Sequence, residues 1–134
     1  MRVARDVVGV AILEEGRLLA ARRAHPPALA GLWELPGGKV EPDETAQQAA
    51  GREIEEELGC VIEVTGALEG SSPIADDLVL RVVLARLADG DPVPHEHDAV
   101  RWLRADELDE VSWARADVPF LDVLRDLPEL QAVG

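Results

Sequence analysis

Glu53, Glu56 and Glu57 fall within the eight-residue segment 52–59, which reads Arg-Glu-Ile-Glu-Glu-Glu-Leu-Gly. On a helix, at about 100° per residue, these three carboxylates share roughly one third of the circumference while Glu55 points elsewhere. Like charges at this spacing repel by about a few tenths of a kcal/mol per pair, so the face calls for a compensating cation. Mg²⁺ fits, and Mn²⁺ is a further candidate, because hard cations prefer oxygen ligands. Mg²⁺ in particular keeps waters and takes up phosphate oxygens beside a few carboxylates. The chemistry open to such a face is metal-assisted attack on a phosphorylated substrate. Arg52 stands one turn before Glu56, where it can orient a carboxylate by a charge-assisted pair. An acid-rich helix by itself is more often a solvated surface, so the surrounding residues have to decide between the two readings.

The spacing requires a helix, and the sequence supplies its ends. Thr45 followed by Gln48 can form a capping box, Gly59 stops the run, and only Gly51 interrupts it, which predicts a helix over residues 45–58. Ala46, Ala50, Ile54 and Leu58 form the apolar stripe that would hold it against a sheet. Residues 7–13 and 18–21 read as a hairpin, 33–35 as a short strand, and Pro36, Gly37 and Gly38 as a turn. Segments 61–67 and 78–87 read as strands joined through the turn-rich Gly70, Ser71, Ser72 and Pro73, the second central because it is almost continuously apolar. Segment 89–94 reads as a loop, 99–103 as a short strand and 105–108 as one helical turn. Asp117 is read as the N-cap of a final helix with Pro119 in its first turn and Phe120, Leu121, Leu124 and Leu127 at helical spacing.

Composition sets the outer bounds. A chain of 134 residues, 47% hydrophobic and 30% charged, is expected to be a single globular domain over 1–134. The net charge of −14 disfavours a nucleic-acid polymer, whose backbone needs a basic stripe, but leaves a small phosphorylated substrate open if cations lie between phosphates and carboxylates. Cys60 is the only cysteine, so no internal disulfide forms. It reads as a small buried hydrophobe, and this usage suits a reducing, cytoplasmic setting. No stretch approaches the ~18 apolar residues needed to span a membrane, and no targeting segment is recognisable, with Arg2, Arg5 and Asp6 breaking the N-terminal apolar run. Either a monomer or a homodimer is compatible with these features.

The flanks give the acidic face its meaning. Gly38, five residues, Glu44, seven residues, Arg52, Glu53, an aliphatic, any residue, Glu56, Glu57, any residue and Gly59 resemble the Nudix box over 23 positions, with Cys60 where the pattern prefers a larger aliphatic. Trp33, Glu34, Leu35, Pro36, Gly37, Gly38 and Lys39 resemble the approach to the box in the MutT-type branch, which includes 8-oxo-dGTP and CTP pyrophosphohydrolases. The resemblance implies an α/β fold, an α/β/α sandwich around a mixed β-sheet. It also implies attack of a metal-activated water on phosphorus in a nucleoside diphosphate linked to another group. Carried over by position, it implies Glu53, Glu56 and Glu57 as metal ligands with the Gly37 carbonyl, Arg52 and Glu44 as braces of the helix, and Gly38 and Lys39 on the phosphate side. Glu96, six residues before Trp102, matches a further acid of the branch and is a candidate metal ligand or base. Glu53 and Glu96 are the two candidates to take the proton from water. His95, His97 and Asp98 around it read as exposed polar loop residues, since they lack a structural zinc framework.

Asp117, just before the last helix, matches the position that reads the base in that branch, alongside its local capping role. As an ionised carboxylate it only accepts hydrogen bonds, which favours the 4-amino group of cytosine or the N7 hydrogen of 8-oxoguanine over unmodified guanine. The neighbouring Ala116, Val118 and Pro119, with His95 to His97, resemble the CTP pyrophosphohydrolases most, which implies a nucleoside triphosphate substrate of the (d)CTP or modified cytosine type. That branch also implies a role in nucleotide-pool sanitation. Arg23, Leu35 and Asp77 are further pocket candidates by position, while Trp33, Trp102 and Trp113 read as structural aromatics. The alternatives are an 8-oxo-dGTP pyrophosphohydrolase, an ADP-ribose or other nucleoside diphosphate hydrolase, and a non-catalytic binding module. Against the last stands the full set of box acids.

Overall fold

A computed structural model describes residues 5–131, so the part of the N-terminal reading that falls on residues 1–4 lies outside it. Strands β1 (Arg5–Glu14) and β2 (Arg17–Arg23) form the expected hairpin. Its two-residue turn has positive φ at both Glu15 and Gly16, 52° and 75°, the geometry whose twist suits a tight hairpin. The short strand β3 (Trp33–Glu34) pairs with β2. Gly37 and Gly38, expected to turn the chain, instead belong to strand β4 (Gly37–Lys39), which pairs antiparallel with Val7, Val8 and Gly9 of β1. Two glycines read as a turn locally, and the long-range ladder overrides that reading. The same holds for Ser72 and Pro73, which open strand β6 (Ser72–Ala75) against β7 (Leu78–Asp89).

The sheet is mixed. β1 and β7 run parallel through eight register pairs from Arg5↔Leu78 to Ile12↔Ala85, whereas β5 (Val61–Ala67) pairs antiparallel with β7 and β8 (His97–Leu103) antiparallel with β2. β7 is thus central, between β1 and β5. Alternation along β1 sends Val8, Val10 and Ile12 to one face and Ala11 and Leu13 to the other, as a strand buried on both faces must. The first face packs against helix α1 (Ala46–Leu58) through Ala49, Ala50, Ile54 and Leu58. Full burial of Ile54 and of Leu58 contributes about 1.5–3 kcal/mol each. Cys60 joins this cluster at 1% exposure, consistent with a small hydrophobe.

The second face is covered by a 3₁₀ segment (Ala105–Glu110), helix α2 (Val118–Arg125) and the short α3 (Pro128–Gln131), through Leu108, Phe120, Leu121, Leu124 and Leu130. Helices therefore lie on both sides of a mixed sheet, the expected α/β sandwich. Leu127 lies beyond α2, which ends at Arg125. Among the described residues no helix is long and apolar enough to cross a membrane.

Candidate active site

Both ends of α1 are fixed by its own residues. The Gln48 N–H donates to Thr45 Oγ1 at 3.1 Å, the Thr45 N–H donates to Gln48 Oε1 at 2.9 Å, and Gly59, at φ 67°, closes the C-terminus by donating to the Glu55 carbonyl. The rotation of the acidic face is therefore set by the helix and its packing. That face is graded: the Glu57 side chain is 6% exposed, Glu53 18% and Glu56 58%. Arg52 fans out beneath it. Its Nε and Nη2 donate to the two oxygens of Glu44 at 2.7 and 2.8 Å, Nη1 to Glu53 Oε1 at 2.8 Å, and Nη2 also to the Lys39 carbonyl at 3.1 Å. The Arg52 guanidinium holds the Glu44 carboxyl down at about 2, and the two acids hold the Arg52 proton more tightly than usual. Arg52 and Glu44 thus brace strand, loop and helix as one unit, and Glu56 stands at the rim with only a long ion-pair contact of 3.7 Å to Arg52 Nη1.

Two glycines make room for this arrangement. A Cβ on Gly38 would lie 2.4 Å from the carboxyl carbon of Glu53, and one on Gly37 would lie 1.9 Å from the Val8 carbonyl oxygen. Strand β4 therefore runs directly against the acidic face.

Glu57 is the enclosed member. Burial pushes its carboxyl up to about 8, reinforced by Glu53, Glu96 and Glu34 and partly opposed by the Gly37 backbone. Its Oε2 is buried without a hydrogen-bond partner. Glu96 is exposed on the loop before β8 and lines, with Glu57, Glu34, Arg23 and His97, a polar cavity of about 180 Å³. His97 is a correction to the sequence reading. It opens β8 rather than lying on an exposed loop, its side chain is 5% exposed, and its Nε2 lies 2.9 Å from Glu34 Oε2. His95 does remain exposed.

An orphaned buried carboxylate oxygen, a neighbouring Glu53 and an exposed Glu56 make an all-oxygen donor set on one helix face, which fits Mg²⁺ or Mn²⁺. Among the described residues no three His, Cys, Asp or Glu side chains close into a cage of their own. Mg²⁺ does not require one, since it is held by one or two carboxylates together with waters and substrate phosphates.

A second, larger cleft of about 520 Å³ adjoins the first through Arg23, Glu34 and Gly37. Gly38 and Lys39 line it at β4, and Leu35, Ala116 and Asp117 line it further along. Arg23 is half-buried, donates to Glu34 Oε1 at 3.0 Å and faces both cavities, so it is more than a strand-end charge. Asp117 is 5% exposed and does not cap α2 with its side chain. Its Oδ2 instead accepts the Leu35 N–H at 2.8 Å, a long-range partner that outcompetes the local one. Burial pushes its carboxyl up to about 7, with Glu34 adding to the rise and both the Leu35 N–H and Arg23 opposing it. Pro119 does occupy the first turn of α2. Asp77 is also corrected: it sits in the turn between β6 and β7, its carbonyl accepting the Arg5 N–H, and the wall of the cleft there is Pro73, Ile74 and Leu78.

The model of the NUDIX domain matches residues 3–124. The chain belongs to the Nudix family. It is 42% identical over 117 residues to a protein of Mycobacterium tuberculosis named putative 8-oxo-dGTP diphosphatase 2, covering 83% of this chain and 81% of that one. It is 35% identical over 124 residues to the CTP pyrophosphohydrolase of Escherichia coli, covering 91% and 92%. The crystal structure of a MutT Nudix hydrolase from Burkholderia pseudomallei superposes with a TM-score of 0.77 at 36% identity, over 89% of this chain and 96% of that one. This chain is therefore a Nudix hydrolase of MutT type, and enzymes of the Nudix family depend on divalent cations, typically Mg²⁺.

Within the Nudix site, two residues escaped the sequence reading of roles. Glu34 reads in the sequence only as part of a motif, yet it meets Arg23 and His97 and lines both cavities. An acid between Trp33 and Leu35 on a short strand is the signal that would have marked it. His97 carried no comparable local signal, because its burial arises from pairing β8 with β2. The three tryptophans pack against the two cores. Trp113 Nε1 donates to the Leu108 carbonyl at 2.7 Å, and Arg22 lies 5.7 Å from the centre of the Trp33 ring.

Proposed function

We propose that this Nudix hydrolase converts a nucleoside triphosphate and water to the monophosphate and pyrophosphate, and that it prefers cytosine nucleotides, (d)CTP or its modified forms. The observation carrying this reading is the continuity of the carboxylate face of α1, through Gly38 and Lys39, with a cleft walled by Leu35 and Asp117. Glu53, Glu56 and Glu57, with the Gly37 carbonyl, would hold the cation, which when bound would neutralise phosphate charge and lower the pKa of a water. Arg52 and Glu44 keep Glu53 in place, Lys39 meets phosphate, and Glu53 or Glu96 takes the proton from the attacking water. The phosphorus–oxygen bond to the leaving pyrophosphate breaks as the new one to water forms. Arg23, Leu35 and Asp117 line the base side.

Asp117 supports cytosine because one of its oxygens is committed to Leu35, leaving the other to accept from the 4-amino group. One observation favours a second reading, 8-oxo-dGTP. With its carboxyl pushed up to about 7, Asp117 is partly protonated near neutrality and can then donate as well as accept, which suits a base edge carrying both an N7 hydrogen and an O6 acceptor. The names of the two relatives span the same two substrates. A panel of (d)CTP, 5-substituted cytosine nucleotides, 8-oxo-dGTP and ADP-ribose, run with Mg²⁺ and with Mn²⁺ and with products identified, tests the assignment. A clearly higher kcat/KM for 8-oxo-dGTP than for every cytosine nucleotide would reject the base preference. Release of orthophosphate in place of pyrophosphate would reject the reaction.

A further inference from the structure

His97 lines the smaller cavity beside Glu34, which lines both, and its two ring nitrogens face different acids. Nε2 is 2.9 Å from Glu34 Oε2, and Glu34 is held on its other oxygen by Arg23 Nη1 at 3.0 Å. Nδ1 is 3.8 Å from Glu57 Oε1, beyond hydrogen-bond reach, and is buried without a partner, as is Glu57 Oε2. In the neutral ring, the carboxylate at 2.9 Å sets the tautomer in which Nε2 carries the hydrogen and donates it, and Nδ1 then presents a lone pair. At that distance Nδ1 makes no hydrogen bond to Glu57, and Glu57 Oε2 has no partner in the protein. A lysine or arginine in the same place would pair with Glu57 and compete with any cation.

We propose that His97 is a positioning residue, fixing Glu34 on the base side with one ring nitrogen while the other keeps Glu57 open to a cation. The orphaned acceptors face one polar cavity of about 180 Å³. Buried acceptors without partners are costly unless a donor or cation meets them, so their arrangement is accounted for once a hydrated cation sits on α1. The proposal rests on reading α1 as the metal-binding helix. It gives a task to a residue whose local sequence reads as an exposed loop, and it links base-side order to metal-side order through a single ring.

The test uses the full chain. Mn²⁺ binding without nucleotide is followed by electron paramagnetic resonance, steady-state kinetics give KM and kcat separately, and ¹⁵N NMR of the imidazole assigns the tautomer in the wild-type protein. His97→Lys, which puts an ammonium beside Glu57, is expected to weaken Mn²⁺ binding roughly tenfold, and His97→Leu, which loses the hold on Glu34, to raise KM more than it lowers kcat. His97→Gln, whose amide can still donate to Glu34, is expected to restore KM to within about threefold of wild type. The wild-type ring is expected as the Nε2–H tautomer, a readout that needs no variant to fold. A ring protonated on Nδ1 in the neutral form would overturn the proposal, as would equal Mn²⁺ affinity in wild type and a folded His97→Lys. Equal losses in Leu and Gln variants would reduce His97 to a space filler and overturn it too. Failure of the wild-type protein to bind Mn²⁺ at all would instead overturn the metal reading of α1, and this assignment with it.

Discussion

The backbone N–H of His95 donates to the carbonyl of Glu57 at 2.9 Å. With the Val93 N–H on the Leu58 carbonyl, also at 2.9 Å, it satisfies carbonyls of the last helical turn that have no partner within the helix. The loop carrying Glu96 is thereby bolted to the turn carrying Glu57, and the main chain sets where these two acids stand relative to each other. Glu96→Gln should therefore lower kcat on the order of 100-fold if Glu96 takes the proton, with no loss of folded structure, because its side chain is exposed. Single-turnover rates set beside a thermal melt check this, and an unchanged kcat would leave Glu53 as the base.

Glu56 is the most exposed of the three helix acids and receives only a long contact from Arg52, 3.7 Å. Glu56→Gln is expected to reduce turnover by about two orders of magnitude, about 3 kcal/mol in the barrier, while stability stays level or rises by a few tenths of a kcal/mol as repulsion is relieved. Near wild-type rates with unchanged metal dependence would remove Glu56 from the ligand set.

Gly38→Ala separates activity from stability in a different way. The added Cβ meets the carboxyl carbon of Glu53 at 2.4 Å, and Arg52 holds that carboxylate at 2.8 Å, so the acid must leave its place. Because the obstacle is the end of a side chain, the melting temperature should fall by only a few degrees, about 1 kcal/mol or less, while turnover drops at least tenfold. An alanine variant as active as wild type would show that Glu53 does not need this position.

Asp117 and Glu57 give stability a pH signature. Both are acids whose folded values, about 7 and about 8, exceed their ordinary 3.8 and 4.5. Between those limits the folded chain keeps protons that the unfolded chain has lost, so in the absence of metal the protein should lose stability as pH rises from about 4.5 to 8. At about 1.4 kcal/mol per unit, Asp117 alone accounts for up to about 4 kcal/mol. Asp117→Asn keeps an acceptor for the Leu35 N–H and should flatten the part of the curve below pH 7. Melting temperatures measured in chelator across pH 5 to 8.5 check both statements, and a curve that climbs over this range would contradict them.

What could be read in the chain before any coordinates divides by the range of the interactions responsible. Helix α1, its capping box and the shared face of Glu53, Glu56 and Glu57 follow from contacts within a few residues, so spacing alone placed them. β4 and β6 did not follow, because Gly37–Gly38 and Ser72–Pro73 carry turn signals that only the ladders to β1 and β7 overrule. Asp117 shows the same competition in one side chain: its local preference is to cap α2, and the N–H of Leu35, 82 positions away, takes the carboxylate instead. His97 and Glu34 meet only because β8 and β3 both pair with β2.

The walls of the larger cleft are drawn from Pro73 and Ile74 in β6 and from the 114–117 segment ahead of α2, none of which belongs to the carboxylate helix. Side chains there can drift in size and polarity over generations while the acids of α1 stay put. Lineages sharing this architecture thus have room to exchange one nucleobase for another by altering a few wall positions, and a laboratory library restricted to those positions would search for new substrates without touching the hydrolytic centre.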